Sequence, residues 1–161
     1  MALVQASLKS ELVTIFSSRL ASPDIIAQRL AQAYTTYALA GMFGASTPVI
    51  LPTHTAALQN SLKGAISNPK AGSAALFAQA WVSGLTSFWL TPPVLVAGAQ
   101  VGTVTAIPGA AALVAPLTAL FLNLKASYDS VGDGLSLALH GASLTVLSTV
   151  APPPGTVLTL L

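Results

Sequence analysis

AGSAALFAQAWVSGLTSFWLTPPVLVAGAQVGTVTAIPGAAALVAPLTALFLNL, residues 71–124, runs from Lys70 to Lys125 without one formally charged side chain. Across all 161 residues only 6% are Asp, Glu, Lys or Arg, against about 25% in an ordinary soluble domain. A monomer presents its surface to water, so the deficit places much of this surface against lipid or against other subunits. The hydrophobic fraction of 53% lies only slightly above the usual ~45–50%. Missing charge, rather than an excess of large apolar side chains, sets the chain apart.

Within that stretch, Phe77, Trp81, Leu85, Phe88 and Trp89 recur on one face of a helix predicted over about 70–90, which Asn68-Pro69 starts and Thr91-Pro92-Pro93 closes. Val94 to Ile107 has Gly98 and Gly102 and no helical period, and reads as loop or short strand. Leu113, Leu117, Leu120, Phe121 and Leu124 then mark a helix over about 109–126 that Pro116 kinks or delays.

Outward from this centre, Leu8, Leu12, Ile15, Phe16 and Leu20 form the apolar stripe of a helix over about 5–21. Ser22-Pro23-Asp24 ends it and begins a second, with Ser22 as capping acceptor, Pro23 preset at the first helical position and Asp24 complementing the dipole. Ile26, Leu30, Ala33, Tyr34 and Tyr37 mark its inner face, and Gly41 and Gly44 its end. A Pro-containing loop from Ser46 to Pro52 precedes a short helix with Leu58, Leu62 and Ile66. After the helix at 109–126, Asp129 to Gly134 reads as a polar turn and Leu135 to Leu139 as one or two helical turns. From Ser143 the period changes to two, with Leu144, Val146 and Val150 alternating against Thr145, Leu147 and Thr149, as in a strand. Pro152 to Pro154 interrupt it and 156–161 resume. The expectation is a mainly α chain of five or six helices with a C-terminal β segment or hairpin, one domain over 1–161. Residues 1–44 form an N-terminal helical hairpin and 143–161 an extended arm or β-hairpin.

Several function classes find no support. The six basic residues, Lys9, Arg19, Arg29, Lys63, Lys70 and Lys125, are scattered, and the formal net charge is +2, so no phosphate-neutralising face and no nucleic acid partner is expected. The absence of cysteine excludes disulfides and thiolate metal sites. The amino terminus does not fit a secretory signal, because Lys9 and Glu11 follow a short apolar stretch in an amphipathic pattern. His54 reads as a loop or cap residue and His140 as a helix-end residue near free carbonyls; they lie too far apart in sequence to form a ligand pair. DSVGDG at 129–134 lacks the register of a calcium loop and its closing Glu, and no Ser sits in G-x-S-x-G. No catalytic, cofactor-binding or metal residue is expected, and no enzyme.

Lipid and protein neighbours remain. Residues 73–91 and 104–124 have the roughly 20-residue length of spanning helices, and a holin-like hairpin of the two would set Lys70 and Lys125 on one side. Ser73, Gln79, Ser83 and Thr86 in the first window and Pro108, Gly109 and Pro116 in the second weigh against it, which leaves a small membrane protein as the alternative. Subunit contacts account for an uncharged surface without lipid, because large obligate interfaces resemble cut domain cores. AQAWVSGLTSFW at 78–89 and LHGASLTVLSTVAPPPGTV at 139–157 resemble small structural proteins of tailed-bacteriophage virions, over about the second half of the chain. The resemblance implies a non-enzymatic part in capsid, neck, tail or baseplate, residence in the virion, and partners that are copies of itself and other structural proteins. The helical content departs from the mainly β plan of tail-tube subunits. Candidate interface residues are Trp81, Phe88 and Trp89, for which core or a ligand stack are the other readings, and Leu144, Val146, Val150, Val157 and Leu158, through which the C-terminal segment would add a strand to a partner.

Overall fold

The computed structural model describes residues 3–18, 22–67, 74–123, 126–151 and 155–161. In it, Leu8, Leu12 and Ile15 are buried along one side of α1 (Gln5–Ser17), and Leu20, the last residue of the expected stripe, lies outside the described residues. α2 (Pro23–Leu39) opens on Pro23 and Asp24 as expected, although the Ser22 side chain makes no capping bond. It buries Ala27, Leu30, Ala31, Tyr34 and Ala38. α3 (Pro52–Ile66) buries His54, Leu58 and Leu62, and α4 (Ala74–Leu90) buries both tryptophans and Phe88. The Asn68-Pro69 boundary and Pro152 to Pro154 lie outside the described residues.

Pro116 delays a helix, as its chemistry requires. A 3-10 helix (Pro108–Leu113) precedes α5 (Val114–Leu122), and Pro116 stands in the first turn of α5, where the backbone N–H it lacks has no intrahelical partner to lose. The second window considered as a membrane span is therefore divided among a strand, a 3-10 turn and a short helix. No helix among the described residues is long and apolar enough to cross a membrane.

The polar turn expected at 129–134 is instead the opening of α6 (Tyr128–Ser143), capped by Ser127, whose hydroxyl accepts the Ser130 N–H at 3.1 Å. Two glycines disguised it. A Cβ on Gly132 would come within 2.5 Å of Val13 Cγ2, and one on Gly134 within 2.8 Å of Leu120 Cδ1. Glycine here lets α1 and α5 lie close against α6, at a helix-propensity cost of roughly 1 kcal/mol each.

Among the described residues, six α-helices accompany a five-stranded antiparallel sheet in sequential order. β4 (Leu147–Ala151) and β5 (Thr156–Thr159) form the C-terminal hairpin. β1 (Ser46–Val49) comes from a segment read as loop, and β2 (Leu95–Gly98) and β3 (Val101–Ala106) from the one read as loop or short strand. At one corner Met42 and Leu161 exchange backbone hydrogen bonds of 3.0 and 2.9 Å, while Phe43 bridges to both Ser46 and Leu160. The two sides of the sheet are thus tied together, and of the two forms expected for the C-terminal segment it takes the β-hairpin.

The core between helices and sheet runs from Leu3 to Leu160 and holds Trp81, Trp89, Tyr34, Phe43 and Phe88 fully buried. At about 150–250 Å² per aromatic side chain and about 25 cal/mol per Å², each tryptophan contributes on the order of 4–6 kcal/mol of burial.

Candidate functional site: an uncharged outer sheet face

Strand alternation turns Ser46, Pro48, Val96, Val104, Ser148 and Val150 onto the helices, where all are buried. Every solvent-accessible side chain of the five strands is Thr, Val, Leu or Ala. An antiparallel sheet with one face on the core ordinarily carries polar and charged residues on the other. Here the pairing aligns one row across all five strands: Val49, Leu95, Thr103, Thr149 and Val157. Leu95 is 50% exposed, Val157 58% and, beside the row, Val101 65%.

The described charges gather at the opposite pole. Lys63 in the last turn of α3 meets Asp24 in the first turn of α2 at 2.6 Å, and Lys9 of α1 meets Asp129 and Asp133 in the first half of α6 at 3.4 and 3.3 Å. Glu11 and Arg29 line a groove of about 580 Å³ between α1 and α2, with Ser10, Thr14 and Gln28. No Asp, Glu, Lys or Arg falls in the strands, in α4 or α5, in the first half of α3, or in the second halves of α2 and α6. The ends of α2, α4 and α6 and the start of α3 are the parts that adjoin the sheet.

The eight residues proposed as an interface divide sharply. Trp81, Phe88, Trp89, Val146 and Val150 are buried within this one chain, so they are core and can neither face a partner nor line an open ligand stack. Leu158 points inward and is half-buried, its Cδ1 beside Gly44. Leu144, at the end of α6, and Val157 are exposed. Residues that reasoning from sequence missed are Leu95, Val101, Thr103 and Val49, and the signal was available: Val101, Thr103 and Thr105 alternate with Gly102, Val104 and Ala106 at the period of a strand.

No family model, curated protein or solved structure matches this chain.

One other cluster gathers chemistry-bearing side chains. The Trp89 indole N–H donates to Tyr34 Oη at 3.0 Å, and the Ser143 hydroxyl donates to the Leu139 carbonyl, so the 2.8 Å bond between Tyr34 and Ser143 has Tyr34 as donor. Beside it Tyr37 Oη and His140 Nδ1 share a hydrogen bond of 2.5 Å. Burial pushes the Tyr34 hydroxyl up to about 12, opposed by its bonds to Ser143 and Trp89, and burial likewise raises Tyr37. Both phenols stay protonated at neutral pH. Such a buried chain specifies helix register. Trp81 Nε1 and Ser148 Oγ are the buried polar atoms without a partner among the described residues, and no three His, Asp or Glu side chains among the described residues gather as a metal site.

Proposed function

We propose that this protein is a non-enzymatic structural subunit of a larger assembly, held by its uncharged sheet pole. The observation that carries the reading is the outer sheet face, whose accessible side chains are all Thr, Val, Leu or Ala while the described charges lie at the far end. Apolar area removed from water contributes roughly 2.5 kcal/mol per 100 Å² before the costs of association, so repeated modest contacts suffice for a ring or shell. The resemblance of 78–89 and 139–157 to small virion proteins of tailed phages makes a virion the assembly proposed, with copies of the chain and other structural proteins as partners.

Purified, detergent-washed particles from cells producing the protein test this directly. Stoichiometric recovery of the chain in the particles supports the virion reading. Its absence from particles, with retention in membranes after an alkaline wash, overturns it in favour of the membrane alternative.

A further inference from the structure

We propose that two copies of this chain meet sheet against sheet, about a two-fold axis that runs along the strands between β3 and β4. The inference rests on the assembly reading and names the surface and the partner. Two features favour a second copy as the occupant. The first is charge: a head-to-tail contact would press the sheet pole onto the pole that holds Lys9, Glu11, Asp24, Arg29, Lys63 and Asp129, stripping water from ions that the sheet offers no charge to pair. The second is the pattern of the central row. With the axis between β3 and β4, Thr103 lies over the partner's Thr149 and Leu95 over the partner's Val157, so hydroxyl faces hydroxyl and apolar faces apolar. An isologous contact requires that self-complementarity.

Size sets the strength. Four overlapping strands about 4.8 Å apart and three side-chain rows about 6.8 Å apart give a face of roughly 19 by 20 Å. Two such faces bury on the order of 800 Å², below the ~1,200–2,000 Å² of a stable complex. A dimer of this kind is weak and concentration-dependent, as suits one contact among several in a particle.

Leu95 and Val157 are half exposed or more, so charges placed there disturb the contact and not the fold. Sedimentation velocity over a concentration series on the wild-type chain, Leu95→Lys, Val157→Glu and an equal mixture of the two variants is the test, with circular dichroism melts to verify folding. The wild type should dimerise, each variant should associate at least about tenfold more weakly, and the mixture should recover association because the ammonium introduced on one copy then faces the carboxylate introduced on the other. A variant that associates like the wild type, or a mixture no stronger than its parts, overturns the sheet-to-sheet contact. Should larger oligomers persist in those variants, the assembly reading stands and this contact falls; a wild type that stays monomeric throughout overturns both.

Discussion

At the start of α3 a buried imidazole holds two pieces of backbone at once. His54 is 1% exposed; its Nδ1 accepts the Leu51 N–H at 2.8 Å, so Nε2 carries the proton and donates to the Pro92 carbonyl at 3.1 Å. Burial lowers its pKa from 6.5, opposed by the hydrogen bonds to Pro92 and Leu51. α4, whose Phe88 ring packs beside it, carries no charged or titratable side chain, and α2 brings Asp24, Arg29, Tyr34 and Tyr37. With the folded value depressed, the unfolded chain binds the proton more readily, so the neutral imidazole's contribution is complete above about pH 6.5 and is lost as the pH falls below it. Urea midpoints should therefore drop between about pH 7.5 and about pH 5, and His54→Asn, which cannot titrate, should remove part of that slope; an unchanged slope contradicts the neutral assignment. Tyr34→Phe strands the Trp89 N–H and should lower stability by about 1–3 kcal/mol in the same titration. His54 as a capping residue was legible, because its partner lies three residues away. His140 was not: the carbonyls expected as its partners give way to Tyr37, 103 positions distant, and no local pattern encodes such a pairing.

Among elements, the glycines decided what could be read from the sequence. Gly132 and Gly134 look like breakers in DSVGDG yet serve as spacers inside α6, and the Ser127 cap that would have revealed the helix sits before them. The helices with uninterrupted stripes, α1, α2 and α4, were legible because burial of one continuous face is enough to hold each of them. β1 was not, and β2 and β3 only as one of two readings, loop or short strand, since each is four to six residues long and gains its pairing partners only once distant strands arrive. A matched pair of substitutions separates the two kinds of glycine. An alanine Cβ at Gly102 would stand 2.1 Å from the Thr149 carbonyl oxygen and 2.8 Å from Val150 Cα, backbone that cannot yield without breaking the β3–β4 ladder. Gly102→Ala should cost about 3 kcal/mol or more. Gly141, exposed in α6, has nothing within 4 Å of that position, and Gly141→Ala should stabilise by about 0.5–1 kcal/mol. Thermal melts of the two variants should move in opposite directions, and a shared direction contradicts the packing described here.

For the molecule as a whole, the separation of charge from sheet makes salt a discriminating variable. Association through the charged pole would involve Lys9, Lys63, Arg29 and the carboxylates near them, and raising salt to about 1 M shortens the screening length to about 3 Å, so that contact should weaken. Association through the outer sheet face involves no ion, because its accessible side chains are Thr, Val, Leu and Ala. Sodium chloride should leave it nearly unchanged, and sulfate, which is excluded from protein surface, should strengthen it. Light scattering across a chloride series and a sulfate series therefore reads which pole is in contact without any substitution. A contact that dissolves in chloride belongs to the helical pole and contradicts the proposed role of the sheet. One that survives chloride and tightens in sulfate behaves as apolar area leaving water, which is the force that a chain with so few charges has available for assembly.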